Sequence, residues 1–178
     1  FRNRAVSHWK ASLLRRTEVR PAWLQCGVHA PFDPVTRAGM VRRGETPTPL
    51  HNNCSGKHTG MLAAALALRE PTDSYLDPAH PVQMINLRLL AALSDLPVGA
   101  IGLGIDGCSA PAFRLPLSRF ATAFARLAAS GAGDAREVVP GLTRVWRAMA
   151  DYPEIIAGTR ERLDTPLMRA AREAGIPL

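Results

Sequence analysis

The chain has 178 residues, 47% of them apolar and 21% charged, which is enough for a domain with a buried core. Its formal charge of +7 comes from 22 basic and 15 acidic residues. The arginines are scattered along predicted helices rather than gathered in a basic run, which argues against a nucleic-acid partner. No apolar stretch of the sequence reaches the roughly 20 residues of a membrane helix, so no membrane span is predicted.

The ends and the cysteines bear on the size and location of the protein. The sequence begins at Phe1 rather than methionine and stops on the apolar run GIPL, so we expect residues 1–178 to be a single domain that is an internal fragment of a larger one. Three cysteines are an odd number and too few for a disulfide scaffold, which favours the reducing cytoplasm. Cys26, in WLQCGVHAP, is expected to be a small buried hydrophobe.

Helical patterns dominate the first half of the chain. Apolar spacing predicts a first helix over AVSHWKASLLRRTEV. Asp33 and Pro34 predict an aspartate cap and a first-turn proline for a second helix, which ends before Gly44. GETPTPLHNN is predicted to be a loop. A third helix should begin near residues 55–59, and a fourth has Pro81 in its first turn.

The second half opens with a strand signal. VGAIGLGIDGCSAPAF predicts a short strand near 99–105 that leads into a tight turn at Asp106 and Gly107. An amphipathic helix that ends at Gly131 is predicted next, over LPLSRFATAFARLAAS. A further helical stretch follows over DAREVVPGLTRVWRAMADYP. The last predicted helix, DTPLMRAAREAG, has its cap at Asp164 or Thr165. We therefore predict an α+β fold whose part seen here is mostly helical.

The segment HNNCSGKHTG, at positions 51–60, places histidine, cysteine, serine and lysine side chains at the start of the third predicted helix. A phosphate-binding loop needs glycine six residues before the lysine and Ser or Thr after it, but both positions hold histidine. A Ser-x-x-Lys site is also excluded, because only one residue separates Ser55 from Lys57. Cys54 does have that spacing to Lys57, which places both on the same side of the first helical turn.

Lysine is rare in this chain, which makes Lys57 conspicuous. Of the 22 basic residues, 20 are arginine, and Lys10 is the other lysine. Arginine stays protonated in proteins, whereas a lysine can lose its proton and serve as a base or a metal ligand. A solvated lysine in a first helical turn is the simpler interpretation, and the choice between the two stays open at this point.

Two chemistries remain open for Cys54. Its thiolate could be a nucleophile, favoured by the helix N-terminus and a neighbouring cation. Alternatively, Cys54 could bind a metal together with Cys108, which follows the predicted turn in GIDGCSAPAF. Two thiolates with a nitrogen ligand suit zinc, and the nitrogen could come from Lys57, His51 or His58.

These motifs resemble a known family. LHNNCSGKHTGML and GIDGCSAPAFRLPL are similar to the asparaginase II family of bacterial amidohydrolases, the zinc-containing Rhizobium type, and WLQCGVHAP, DPAHPVQ and YPEIIAGTRERLDTPLM agree with it. The resemblance covers nearly the whole chain. It implies a fold similar to serine β-lactamases and penicillin-binding proteins, hydrolysis of L-asparagine to L-aspartate and ammonia, and a homodimer.

Carried over by position, the resemblance implies that zinc is held by Cys54, Lys57 and Cys108, with water completing the site. It places His58 and Asp106 beside the ion, so Lys57, His58 and Asp106 are the candidate catalytic residues. The family's nucleophilic Ser-Lys tandems would lie upstream of this chain, except for one lysine expected just beyond its end. We therefore expect no turnover by residues 1–178 alone.

Three other functions stay open beside the asparaginase. The chain could be a truncated, inactive zinc-binding domain, an arginine-rich binding module of the cytoplasm, or a thiol hydrolase that depends on Cys54.

Overall fold

The computed structural model describes residue 12 and residues 14–132, 139–158 and 163–175. These residues are mostly helical and include a two-stranded antiparallel sheet, in agreement with the predicted α+β class. Among them, no helix combines the length and the apolar character that crossing a lipid bilayer requires.

Helices precede and follow a β-hairpin along the chain. In order, the elements are α1 (Pro34–Arg42), α2 (Ser55–Leu68), α3 (Pro81–Ser94), β1 (Gly102–Ile105), β2 (Pro111–Arg114), α4 (Leu117–Ala132), α5 (Leu142–Asp151), α6 (Pro153–Ala157) and α7 (Asp164–Glu173). Short 3-10 turns lie at Pro21–Trp23, Pro49–His51 and Val98–Ala100.

The described residues form two compact units. The first draws on the ranges Phe1–Asn86 and Leu103–Phe113, and the second on Leu87–Gly102 and Arg114–Leu178. The single domain predicted over residues 1–178 stays a prediction, because a division into compact units does not decide how many domains fold independently.

The starts of the early helices follow the sequence signals. Asp33 is the N-cap of α1, and its Oδ2 accepts the backbone N–H of Thr36 at 2.8 Å, while Pro34 is the first residue of the helix. Helix α2 begins at Ser55, and Pro81 is the first residue of α3. Capping and first-turn proline therefore predicted these boundaries correctly.

The strand prediction near 99–105 was right in part. Residues Val98–Ala100 form a 3-10 turn, and β1 occupies only the second half of the predicted range. The chain then turns back, because the backbone N–H of Asp106 donates to the carbonyl of Ala110 at 2.8 Å. Strand β2, which pairs with β1, was not predicted.

Two boundaries in the second unit differ from the prediction. Helix α4 runs through Gly131 instead of ending there, and packs on α5. A Cβ built on Gly131 would lie 2.1 Å from ring atoms of Trp146, so this glycine permits close packing rather than ending the helix. Helix α7 begins one residue early, with Leu163 instead of Asp164 or Thr165 as its N-cap.

Two predicted helical stretches are described only in part. At the start of the chain, residue 12 and residues 14–17 are helical, and the rest of the predicted first helix lies outside the described residues. Before α5, residues 133–138 of the predicted stretch lie outside them as well.

The core of the first unit surrounds α2. Leu62 and Ala65 of this helix are fully buried, as is Tyr75, which follows it in the chain. Cys26 is buried in the same cluster, as predicted, and so is Cys108. The hydrophobic core of this unit therefore holds one of the two thiols of the candidate site.

Candidate functional site

The N-terminus of α2 presents the Cys54 thiol. Cys54 is the N-cap residue, yet its side chain makes no capping hydrogen bond. Its backbone N–H instead donates to Oδ1 of Asn52 at 2.8 Å, and Nδ2 of the buried Asn52 donates to the carbonyl of Cys26 at 2.6 Å. Asn52 thus ties the start of the helix to the Cys26 segment and fixes the position of the Cys54 backbone.

The hairpin turn presents the other sulfur. Oδ1 of Asp106 accepts the N–H of Gly107 at 2.7 Å, and the Asp106 carbonyl accepts the N–H of Ser109 at 2.9 Å. Ser109 takes a left-handed backbone conformation with φ of 68°, which closes the turn. Between these residues, Cys108 is 5% exposed.

The two motifs meet in the first unit. The sulfurs of Cys54 and Cys108 and a carboxylate oxygen of Asp106 all lie within 4.8 Å of one another. Nζ of Lys57 donates to Oδ2 of Asp106 at 2.7 Å, and the Cys108 thiol donates to the same oxygen at 3.2 Å. The structure therefore brings these four predicted site residues together from two distant parts of the chain.

Hydrogen bonding makes the Lys57 and Asp106 pair ionic. The hydrogen bonds from Lys57, Cys108 and the Gly107 N–H lower the pKa of Asp106 to about 2. Burial alone would lower the pKa of Lys57, but its hydrogen bonds to Asp106 and Cys108 outweigh burial and raise it. Lys57 is thus an ammonium paired with Asp106, and it is partly exposed to solvent.

The Cys54 thiol lacks the lowered pKa of an activated nucleophile. Burial, followed by the hydrogen bond with Cys108, raises the pKa of Cys54, and the charge of Lys57 only partly offsets them. Nucleophilic cysteines need a lowered pKa, because the thiolate is the reactive form. The raised pKa of Cys54 is the opposite of what a nucleophilic thiol needs.

The donor set suits zinc. Zinc takes thiolate, amine and carboxylate ligands, and Zn–S bonds of ~2.3 Å in a tetrahedron place two sulfurs roughly 3.8 Å apart, a spacing that the clustering of Cys54 and Cys108 allows. Asp106 belongs to this donor cluster, whereas the resemblance placed it beside the ion. Lys57 contacts the cluster through Asp106 and would have to lose a proton to bind metal.

The two histidines of the opening motif lie outside this donor cluster. Nδ1 of His51 accepts the N–H of Thr48 at 2.9 Å and so holds the loop before α2. His58 is fully buried, and its Nδ1 lies 2.6 Å from the Tyr75 hydroxyl. Its Nε2 has no hydrogen-bond partner among the described residues. Burial, followed by the charge of Lys57, lowers the pKa of His58 to about 4.

Sequence reasoning missed Asn52 and Tyr75. Asn52 stands inside the motif, but its role depends on the carbonyl of Cys26, and nothing in the local spacing indicates that contact. Tyr75 follows α2 in a segment without periodicity, and only the fold brings it to His58. A hydrophobicity pattern predicts which residues are buried, but not which buried polar groups meet.

A groove of about 400 Å³ opens beside Lys57 in the first unit. Its walls are largely apolar, with carboxamide side chains on α3. The lining includes Lys57, Met61, Val82, Gln83, Asn86 and Phe113. This volume is sufficient for a small-molecule substrate.

The comparison with known proteins agrees with the motifs. The family model described as L-asparaginase II matches residues 5–176, nearly the whole chain. No curated protein matches the chain.

Proposed function

Because the chain belongs to the L-asparaginase II family, we propose that the protein carrying it hydrolyses L-asparagine to L-aspartate and ammonia. The family match over residues 5–176 carries this proposal. The convergence of Cys54, Lys57, Asp106 and Cys108 beside an open groove supports it. A fold similar to serine β-lactamases is part of the same proposal.

Zinc is the proposed metal, with Cys54, Lys57 and Cys108 as its protein ligands. A neutral Lys57 amine can offer its lone pair to the metal and still donate an N–H to Asp106, so the observed contact between Lys57 and Asp106 is compatible with both states. When bound, zinc supplies a Lewis acid that polarises a carbonyl or orients groups around it. Asp106 then orients Lys57.

Metal analysis of untagged protein tests the zinc site. We expect about one zinc per chain, since two thiolates and one nitrogen donor leave a single tetrahedral site. The Cys54→Ala, Cys108→Ala double variant should contain none. Cys26→Ala is the matched control, because Cys26 is a buried cysteine of the same unit outside the donor cluster. Equal zinc content in all three proteins would refute the site.

An ammonia-release assay tests the activity. The protein carrying this chain is incubated with L-asparagine and, separately, with L-glutamine, and we expect release from L-asparagine. No release from either amide would refute the amidohydrolase. Turnover that persists after zinc removal and disappears on alkylation of Cys54 would support the thiol hydrolase instead.

A homodimer in the cytoplasm, with L-asparagine as the partner and no nucleic acid, completes the proposal. Sedimentation equilibrium of the protein that carries this chain should give twice the mass of one protomer. The mass of a single protomer at micromolar concentration would refute the dimer.

A further inference from the structure

Tyr75 and His58 form a buried hydrogen-bonded pair behind the candidate site. Both side chains are fully buried, and the rings meet edge to face at 5.6 Å between centroids. The Tyr75 hydroxyl contacts two polar groups among the described residues: it lies 2.9 Å from the backbone nitrogen of Gln25 and 2.6 Å from Nδ1 of His58.

The direction of these hydrogen bonds follows from counting donors and acceptors. The Gln25 N–H can only donate, so the Tyr75 oxygen accepts it. The one hydroxyl hydrogen of Tyr75 then needs an acceptor, and Nδ1 of His58 is the group within reach. If Nδ1 donated instead, the Tyr75 hydrogen would be left buried without an acceptor among the described residues, which is unfavourable.

The protonation of the ring follows in turn. An imidazolium carries a hydrogen on both ring nitrogens, so a ring that accepts a hydrogen bond at Nδ1 is neutral. A neutral imidazole that accepts at Nδ1 carries its hydrogen on Nε2. Nε2 is the buried atom that has no partner among the described residues, so His58 holds an N–H that is available to an acceptor.

We propose that Tyr75 is a positioning residue that fixes His58 as the Nε2–H tautomer, so that His58 acts in the site as a hydrogen-bond donor and not as a metal ligand or base. The role in the site rests on the proposed function, whereas the tautomer does not. The acceptor is the oxygen of a buried water, because Nε2 is closed to solvent and a buried N–H left alone is costly.

The tautomer is measured by ¹⁵N NMR of the histidine rings in the zinc-loaded protein at pH 7.5. His58 is assigned among the five histidines with a His58→Gln variant. We expect a hydrogen-bearing Nε2 and a bare Nδ1 in the wild type, and a mixture of tautomers in Tyr75→Phe. Tyr152→Phe is the matched control, because Tyr152 is the only other tyrosine and is exposed.

A hydrogen on Nδ1 in the wild type would overturn the proposal, even if Tyr75→Phe fails to fold. An unchanged tautomer in a folded Tyr75→Phe protein would overturn it as well. Ammonia release by the protein that carries this chain then tests the role in catalysis: Tyr75→Phe should lower kcat by about tenfold with little change in KM. If the tautomer is as expected but the unsubstituted protein that carries this chain releases no ammonia, the proposed function fails and the positioning of His58 by Tyr75 stands.

Discussion

At the scale of single residues, the contact between Lys57 and Asp106 does not by itself account for a lysine where the chain otherwise uses arginine. The Lys57 amine lies 2.7 Å from Asp106, which is itself clustered with two thiols. An arginine would keep the ion pair, but its guanidinium has no lone pair for a metal. The ion pair is partly exposed and so adds little to stability. The proposed metal binding would account for a lysine at this position.

Lys57→Arg should therefore lose zinc nearly as completely as Lys57→Ala, although it keeps the charge. A permanently protonated guanidinium beside the thiols repels the cation, whereas a neutral amine can bind it. Zinc per chain is measured on both variants, with Lys10→Arg as the control for the same substitution at the other lysine. Full occupancy in Lys57→Arg would make Lys57 a surface cation. Asp106→Asn should then be the variant that loses zinc, because Asp106 is the remaining donor of the cluster.

The site could be predicted from sequence only where its parts are local. Cys54 and Lys57 share one helical turn, so their spacing alone brought them together. Cys108 was considered with Cys54 because two thiolates suit zinc. The full ligand set and the place of Asp106 came from the resemblance, because no local pattern reports which loop meets which helix. Asn52 and Tyr75 were not predicted at all, since both act through contacts that exist only in the folded chain.

At the scale of elements, strong local sequence signals predicted the starts of the early helices correctly, whereas weak signals did not predict strand β2. Asp33 and Pro81 mark their helices by capping and by proline geometry, which are set within one turn. Strand β2 has only four residues, and its first residue, Pro111, has a low strand propensity. Only its pairing with β1 defines it. Glycine is common at helix ends, so the sequence predicted an end at Gly131. Its packing against Trp146 is a tertiary contact that the local sequence does not reveal.

Gly131→Ala is expected to destabilise the protein by about 1–3 kcal/mol, as overpacking does. Alanine favours a helix over glycine by about 1 kcal/mol, so the sign of the effect tests the close approach directly. Gly60→Ala is the matched control, because a Cβ on this glycine of α2 would meet nothing within 4 Å. Urea unfolding gives both free energies. Stabilisation of Gly131→Ala to the extent seen in Gly60→Ala would show that Trp146 does not crowd this position.

At the scale of the whole molecule, the candidate metal site links distant segments of the first unit. Cys54 is the N-cap of α2, and Cys108 lies in the hairpin turn and in the hydrophobic core. A metal held by both thiols stabilises the folded state over the unfolded one, because the unfolded chain does not present the ligands together.

Removing zinc should therefore lower the melting temperature. A free metal concentration of about 1,000 times Kd stabilises by about 4 kcal/mol, which corresponds to roughly 10 °C for a chain of this size. Differential scanning calorimetry with and without EDTA measures the shift. The Cys54→Ala, Cys108→Ala variant should melt at the same temperature in both conditions, and an equal EDTA effect in that variant would place the stabilising metal elsewhere.

The buried imidazole of His58 predicts how the stability of the metal-free protein depends on pH. Burial, followed by the charge of Lys57, lowers its pKa from 6.5 to about 4, while Asp106 acts weakly in the opposite direction. At a pH between these two pKa values, His58 binds a proton in the unfolded chain but not in the folded chain. The stability that neutral His58 provides is therefore complete above pH 6.5 and is lost as the pH falls towards 4, by about 3 kcal/mol. Urea titrations of EDTA-treated wild type and His58→Gln should show a steeper loss in the wild type, and parallel curves would mean that His58 takes up its proton equally in both states.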